Sequence, residues 1–409
     1  MSPVDELRAA LERTLPAEWM AAVRSEDRER LDEVLDGTDR GTIDGYVRQI
    51  AADGWLVPEW PRELGGRALD ADATVDVRRE LARWRVGTVD SAIGTGWVGP
   101  AILRFGDATV ARELLPAIAR NETLWCQLFS EPDAGSDLAS VRTKATPDGE
   151  HWRVNGRKTW TSRADRAQWG LAVTRTDIDV PKHAGLTCFL VDMTSPGVTI
   201  EPIRQMTGDS EFFQVTLDDV AIADRYRLGA RGQGWEVVRT VLQWERLAGS
   251  GAGAATPGSM VGRSIEELVA AFLSGADDVA ADRIAQLWVE SRAIAFNNRR
   301  HALHRAADLP PVAGGTPYNK VMQAEHTKRL QRAFLEFGGM SLLAHGLDDR
   351  AAAYDVWAFL RVQPKTVAGG TSEVLRDQIA ERGLSMPRGT DPSRGQTWRS
   401  FLESPGANT

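Results

Sequence analysis

The hydrophobic period of the chain changes twice, and these changes constrain the fold more than any other feature of the sequence. Before about Leu124 and after about Gly234, apolar residues recur at three- and four-residue spacing among charged residues, which predicts amphipathic helices. Between these limits, up to Leu228, the period falls to two, and short runs rich in β-branched and aromatic residues predict strands. The order of helices, sheet and helices predicts an α+β fold.

The changes of period also indicate domain boundaries. We predict an N-terminal α-helical domain at 1–122, a central small β-barrel or sheet domain at 123–232 and a C-terminal four-helix bundle at 233–386. The remaining residues, 387–409, are rich in Pro, Gly and Ser, which predicts a loose tail.

Two local patterns give more detailed predictions. Residues Glu18 to Leu35 keep helical spacing, which predicts one helix. Asn155-Gly156 lies between two strand-like runs and predicts a hairpin turn, because a type I′ turn needs positive φ at both central residues.

The composition excludes several classes of protein. The chain has 409 residues and a formal net charge of -8, which argues against a nucleic-acid partner because such proteins usually present a basic face. Cys126 and Cys188 are the only cysteines, so we expect a reducing compartment and a cytoplasmic protein. We expect no membrane span and no signal peptide, since the sequence lacks a long apolar run and its N-terminus is acidic and amphipathic.

One loop and one nearby strand carry groups suited to a flat ligand. Ser130, Gly135 and Ser136 offer hydroxyls and backbone amides that a ligand can approach closely, and Trp160 offers a flat apolar face. A flavin needs this combination, because one end of its ring system takes several hydrogen bonds and its ring face needs apolar cover. The alternative is an Asp- and Gly-rich loop that caps the sheet, with Trp160 in the core.

Six segments resemble motifs of the acyl-CoA dehydrogenase family. They are GWLVPEWPRELGG at 54–66, LRFGDATVARELLPAIARNETLWC at 103–126, SEPDAGSD at 130–137, NGRKTWTS at 155–162, LDDVAIADRYRLGARGQGW at 217–235 and GGTSEVLRDQIAERGLSMPR at 369–388. The resemblance covers nearly the whole chain and implies that family's fold, an FAD cofactor and α,β-dehydrogenation of an acyl-CoA thioester. The FAD-binding residues that it implies are Leu128, Phe129, Ser130, Gly135, Ser136, Trp160, Thr161, Ser162, Gly338, Gly339, Gly370, Thr371 and Glu373.

The resemblance offers two positions for the catalytic base. Many relatives carry a Glu immediately before the Gly-Thr of the closing motif, where this chain has Gly369, whose backbone N–H would still bind the thioester oxygen. Other branches carry the base in an L-x-x-E-R pattern on a bundle helix, which implies that Glu245 removes the α proton while the β hydride passes to flavin N5. The alternative is that Glu245 only decorates a helix. The implied substrate-binding residues are Ser136, Gln243, Glu245 and Arg246.

The chain departs from the family pattern at several positions. Leu335 stands where relatives usually have Gln, and the usual R-x-x-F-G element is missing. These changes resemble an actinobacterial-type subgroup, some of whose members pair with a non-identical subunit. The resemblance therefore implies a homodimer, a homotetramer or a heterotetramer with a related subunit, and an electron-transferring flavoprotein as electron acceptor. A non-catalytic partner subunit and a related flavin oxidase or monooxygenase stay open, and the sequence does not identify the acyl chain.

Two further patterns have simpler explanations. Residues Gly249 to Ala254 fit the G-x-G-x-x-G/A dinucleotide fingerprint, but no βαβ unit surrounds them, so we expect a close-packed or pocket-lining helix. His301 and His304 lie three apart on a predicted helix without a set of carboxylate ligands, so we expect no metal site.

Overall fold

The fold is taken from a computed structural model that describes residues 2–26, 28–86, 92–249, 261–306, 315–339 and 350–404. The chain forms two compact units. The first comprises Met1–Ile203, Ser210–Trp244 and Asp391–Thr409, and the second comprises Arg204–Asp209 and Glu245–Thr390.

The first unit begins with short amphipathic helices. They are Pro3–Thr14 (α1), Ala17–Arg24 (α2), Arg28–Gly37 (α3), Arg40–Ala52 (α4), Ala71–Arg83 (α5), Gly99–Phe105 (α6) and Ala108–Ala119 (α7). The first helix starts at a capping box, in which the side chains of Ser2 and Asp5 each accept a backbone N–H from the other. The predicted single helix from Glu18 to Leu35 is wrong, because α2 ends before Glu26, whose left-handed φ of 57° is incompatible with a continuing helix.

An eight-stranded sheet follows in the same unit. Its strands are Trp125–Leu128 (β1), Lys144–Asp148 (β2), His151–Ser162 (β3), Trp169–Arg175 (β4), Leu186–Asp192 (β5), Val198–Ile203 (β6), Phe212–Ala223 (β7) and Arg227–Leu228 (β8). The strand order is β6-β7-β3-β2-β4-β5-β8, and β1 pairs in parallel with β4. Strands β4 and β5 are buried along nearly their whole length, which explains their continuous apolar runs. The predicted central sheet domain is confirmed.

The predicted hairpin turn at Asn155-Gly156 is wrong, because both residues lie inside the long strand β3 at an irregularity in its pairing with β7. The side-chain oxygen of Asn155 accepts a hydrogen bond of 2.8 Å from the backbone N–H of Asp219. A Cβ on Gly156 would lie 2.3 Å from the hydroxyl oxygen of Thr143. The pair therefore permits a close approach between neighbouring strands. The hairpin instead joins β2 to β3 through Gly149, whose φ is 60°.

Most of the second unit is helical. Its helices are the end of Gly234–Gly249 (α8), which belongs to this unit from Glu245 onward, and Ile265–Phe272 (α9), Asp278–Ala306 (α10), Gly315–Gly338 (α11), Arg350–Val362 (α12) and Ser372–Gln378 (α13). Helices α9, α10 and α11 share one apolar core, in which Leu268, Leu330 and Phe334 are almost fully buried. The predicted helical C-terminal region is confirmed.

The C-terminal residues 391–404 are ordered within the first unit, so the predicted loose tail is wrong for this segment. Helix Trp398–Leu402 (α14) buries Trp398, whose backbone N–H donates to the carbonyl oxygen of Val180 at 2.9 Å. The guanidinium group of Arg399 forms an ion pair with Asp179 at 2.6 Å. The burial of one indole ring, a backbone hydrogen bond and an ion pair thus hold the segment in place, although its composition is rich in turn-forming residues.

Candidate active site

The first group of predicted site residues lies where β1 ends. Leu128 and Phe129 are buried, Ser130 is half-buried, and Gly135 and Ser136 are exposed. The buried pair anchors the start of the loop in the core, while the residues with small or hydroxyl side chains reach the surface. The loop can therefore present backbone amides and hydroxyls to a ligand from a fixed base.

A buried ion pair, which the sequence analysis does not single out, fixes this loop. The ammonium group of Lys158 is fully buried and donates to Glu131 at 2.8 Å, to the carbonyl oxygen of Phe129 at 3.1 Å and to that of Val173 at 2.7 Å. Glu131 also accepts two backbone N–H groups of the following loop, at 2.6 and 2.9 Å. The only signal in the sequence is that both charged residues occur inside the motifs SEPDAGSD and NGRKTWTS.

Burial and the neighbouring groups have opposing effects on the pKa values of this pair. Burial opposes the ionisation of Glu131, but the Lys158 ammonium and the N–H donors hold the pKa of Glu131 below its usual value. Burial lowers the pKa of Lys158, and the neighbouring carboxylate opposes this shift. Because the ammonium has three oxygen acceptors, the pair ties the loop, β3 and β4 together as one rigid element.

Trp160 stands out from β3 toward solvent. Its side chain is 58% exposed, and its φ of 57° occurs at a bulge between Lys158 and Thr161 in the pairing with β7. Phe212 contacts it edge-on, with ring centroids 5.9 Å apart. Such a φ costs a residue other than Gly about 1–3 kcal/mol, so strain that exposes a large apolar ring indicates a ligand surface. The exposure excludes the alternative that Trp160 belongs to the core.

The residues beside Trp160 divide between two faces of the strand. Thr161 is fully buried, and its hydroxyl has no hydrogen-bond partner within the described part of the chain, whereas Ser162 is half-buried. The backbone N–H of Thr159 donates to the carbonyl oxygen of Ser130 at 2.9 Å, which joins the loop to this strand. An exposed indole face beside a loop of amides and hydroxyls fits a flat, hydrogen-bonding cofactor such as a flavin.

In the second unit, the two candidate positions for the base lie together. Glu245 is half-buried on α8, and Gly369 lies in the turn before α13. An ideal Cβ on Gly369 would lie 3.6 Å from Oε1 of Glu245. The φ values of Gly369 and Gly370 are 66° and 94°, which glycine adopts without strain. A carboxylate carried by α8 therefore lies beside the turn at Gly369.

The other predicted residues of the second unit lie at helix ends. Thr371 is the N-cap of α13, and its hydroxyl accepts a backbone N–H at 3.1 Å. Glu373 is exposed in the first turn of that helix, and a hydrogen bond from its own backbone N–H lowers the pKa of its carboxyl group. Gly338 ends α11, and Gly339 follows it with a left-handed φ of 66°.

Three further features singled out in the sequence lie on α8 or follow it in the chain. Gln243 is exposed on α8, and Arg246 follows on the same helix, but its side chain lies outside the described residues. Residues 250–254 of the dinucleotide-like pattern also lie outside them.

Among the residues that the structure describes, no group of three or more His, Cys, Asp or Glu side chains could hold a metal ion. None of the described helices has the length and apolar character needed to cross a membrane.

Comparison with known proteins identifies the class as flavin-dependent oxidoreductases. Residues 11–122, 126–220 and 232–384 match the models of the acyl-CoA dehydrogenase N-terminal, middle and C-terminal domains. Acyl-CoA dehydrogenase IpdE1 of Mycobacterium tuberculosis is 35% identical over 352 residues, which cover 84% of this chain and 88% of that protein. The chain therefore belongs to the acyl-CoA dehydrogenase family.

A second relative and a solved structure extend this similarity. Acyl-CoA dehydrogenase FadE34 of Mycobacterium tuberculosis is 41% identical over 346 residues, covering 83% of this chain and 46% of FadE34. The chain thus spans about half the length of that relative. A solved structure described as the Tcur3481-Tcur3483 steroid ACAD is 25% identical with a TM-score of 0.74, covering 94% of this chain and 97% of that one.

Proposed function

We propose that this chain catalyses FAD-dependent α,β-dehydrogenation of an acyl-CoA thioester, with Glu245 as the base that removes the α proton. One observation carries the proposal: Oε1 of Glu245 lies 3.6 Å from the Cβ position of Gly369. The carboxylate that many relatives supply from the position of Gly369 is here supplied from α8. Bound FAD would supply the oxidant that accepts the β hydride.

Three of the chain's residues have separate tasks in this reaction. The carboxylate of Glu245 takes the α proton, a step that a positioned base typically accelerates by about 10²–10⁴-fold. The backbone N–H of Gly369 donates to the thioester oxygen as it gains negative charge, which is typically worth about 2.7–4 kcal/mol in oxyanion sites. Trp160 would cover one face of the ring system of bound FAD. Gln243, Arg246 and Ser136 contact the substrate.

The proposed FAD-binding set is the one that the family resemblance implies. Its members are Leu128, Phe129, Ser130, Gly135, Ser136, Trp160, Thr161, Ser162, Gly338, Gly339, Gly370, Thr371 and Glu373. Within this set, Trp160 is supported by its strained and exposed side chain. Thr161 contributes only its backbone, because its side chain is fully buried.

The domain boundaries and the cellular location of the protein are also proposals. We propose domain boundaries at 122 and 232, which the ranges of the three family models support. We also propose a cytoplasmic location. It is supported by Cys126 and Cys188, which are free and buried.

The acyl group and the assembly are proposed from the similar structure. Its description as a steroid ACAD supports a polycyclic acyl-CoA as substrate, and its two named proteins support a heterotetramer with a related subunit beside a homotetramer. An electron-transferring flavoprotein would be the acceptor. Gly369 and Leu335, which depart from the family pattern, favour one second candidate, a non-catalytic subunit that supports the flavin site of a partner chain.

Anaerobic flavin bleaching tests the proposed function. The purified chain is mixed with a panel of CoA thioesters that includes straight, branched and polycyclic acyl groups. We expect a yellow protein that one class of thioester bleaches. A colourless chain that supports bleaching only in a complex with a related subunit would identify the non-catalytic candidate. Oxygen consumption that accompanies substrate turnover in air would identify an oxidase.

A further inference from the structure

Lys320 lies in the second turn of α11, and no sequence motif marks it. Its ammonium group donates to the carbonyl oxygen of Lys365 at 2.9 Å and to that of Gly370 at 2.7 Å. These two carbonyl groups stand on either side of the turn that contains Gly369. One side chain therefore closes the turn whose backbone faces Glu245.

The turn is fixed at both ends, and Lys320 connects its two sides. At its start, two successive backbone N–H groups share the carbonyl oxygen of Pro364, at 2.8 and 2.9 Å. At its end, Thr371 caps α13. Between these points, Gly369 and Gly370 have left-handed φ values. Because glycine can adopt many other backbone conformations, the turn could change its shape if the two hydrogen bonds from Lys320 were lost.

The surroundings of Lys320 are rich in charge. The charged groups that face it are Glu325, Glu245, Glu373 and Lys365. Burial lowers the pKa of Lys320 to about 8, although the three carboxylates oppose this shift. Arg376 also faces Glu325 and Glu373, at 3.1 and 3.9 Å. Lys320 therefore contributes positive charge next to Glu245 as well as two hydrogen bonds.

We propose that Lys320 is a positioning residue of the active site. Its ammonium group holds the Gly369 turn against the carboxylate of Glu245 and places a positive charge near that carboxylate. This inference rests on the proposed function, in which Glu245 is the base and the Gly369 N–H binds the thioester oxygen. Lys320 would act through the turn and through Glu245, without contacting the α or β carbon of the substrate.

Hydrogen–deuterium exchange tests the structural half of the inference without any turnover. Lys320→Met removes both hydrogen bonds, so we expect the backbone amides of residues 365–371 to exchange at least about tenfold faster. Lys328→Met is the matched control, because Lys328 lies on the same helix and donates to the side chain of Thr366 at 3.2 Å, not to the carbonyls beside Gly369. In this control the exchange should stay close to that of the parent.

The pH dependence of substrate-induced flavin bleaching tests the electrostatic half. Removing a positive charge beside a carboxylate makes the carboxylate easier to protonate, so the acidic limb of the rate profile should move to higher pH by about one unit in Lys320→Met. Lys320→Arg keeps the charge and should keep the limb. Lys320→Gln removes the charge but keeps an N–H donor, so it provides the same test if the Met variant fails to fold.

The outcomes separate this inference from the function on which it rests. An unmoved acidic limb in Lys320→Met and Lys320→Gln, together with unchanged exchange of residues 365–371 in Lys320→Met, would overturn the role of Lys320, while loss of bleaching in Glu245→Gln would leave the proposed function intact. Unimpaired bleaching in Glu245→Gln would overturn the proposed base itself. A moved limb in Lys328→Met equal to that in Lys320→Met would also overturn the inference, because any lysine of α11 would then act alike.

Discussion

The two groups of site residues are stabilised in different ways. Around Trp160, a loop and adjacent strands are tied by the fully buried pair of Lys158 and Glu131, whose hydrogen bonds reach three separate segments. Around Glu245, the residues come from two helices and a glycine turn that the partly exposed Lys320 bridges. Breaking the buried pair of the first group should therefore destabilise the fold, whereas removing Glu245 or Lys320 from the second group should alter chemistry in a folded protein.

Breaking the buried ion pair should have the largest effect on stability. Lys158→Met leaves the buried carboxylate of Glu131 without its cation, so we expect a loss of about 3–5 kcal/mol in the free energy of unfolding, measured by denaturant titration. Lys182→Met is the control, since its partner Asp137 is 58% exposed and the pair should contribute less than about 1 kcal/mol. Equal losses in the two variants would contradict the contrast between the sites.

The close approach inside β3 should give an intermediate effect. Gly156→Ala places a Cβ 2.3 Å from the Thr143 hydroxyl oxygen, so we expect a loss of about 1–3 kcal/mol in the same titration. Gly135→Ala is the control, because a Cβ there meets nothing within 4 Å. If Gly156→Ala were as stable as the control, the account of this glycine would be wrong.

Trp160 should matter little for stability and much for the cofactor. Trp160→Gly relieves the strained φ while it loses the contact with Phe212, so we expect the free energy of unfolding to change by no more than about 1 kcal/mol. Bound flavin, measured by absorbance, should fall. Trp125 is almost fully buried, and Trp125→Ala should cost about 3–5 kcal/mol. A comparable loss in Trp160→Gly would assign that indole to the core.

Lys320 should give a small pH-dependent effect. Its pKa of about 8 in the folded protein lies below its ordinary value of 10.5, so on raising the pH through 8 the folded state loses the proton before the unfolded state does. The contribution of this group to stability therefore rises from about pH 8 to 10.5. The melting temperature of the parent should rise over this range relative to Lys320→Met. A constant difference between the two proteins would contradict the shift.

Local patterns predicted the elements better than they predicted the contacts between them. The amphipathic helices and the central sheet follow from periodicity, because each element buries one face or both. The errors have long-range causes. Asn155-Gly156 carries a turn signal, but the side chain of Asn155 bonds to β7 and the missing side chain of Gly156 admits Thr143. Similarly, the 391–404 segment is ordered by Trp398, whose contacts lie far away in sequence.

The candidate site shows the same division. Trp160 and the loop after Leu128 lie in continuous motifs, so the sequence could identify them as one chemical unit. Lys158 could be read as an ordinary strand charge, since only its burial reveals its three acceptors. Lys320 lies 75 residues after Glu245 in the sequence, and no pattern connects the two residues. No sequence pattern connects Glu245 with Gly369 either. The family resemblance offers both positions for the base, and only the fold shows that they are close together.

The carboxylate of Glu245 is the proposed base, and single-turnover bleaching of Glu245→Gln shows whether the reaction depends on it. The amide keeps the size of the side chain, so we expect bound flavin and melting temperature to match the parent, while the anaerobic bleaching rate with a reactive CoA thioester falls at least about 100-fold. Glu325→Gln is the control, since that carboxylate also faces Lys320 but pairs with Arg376. It should keep the parent rate. Bleaching of Glu245→Gln at a rate near that of the parent would contradict the account.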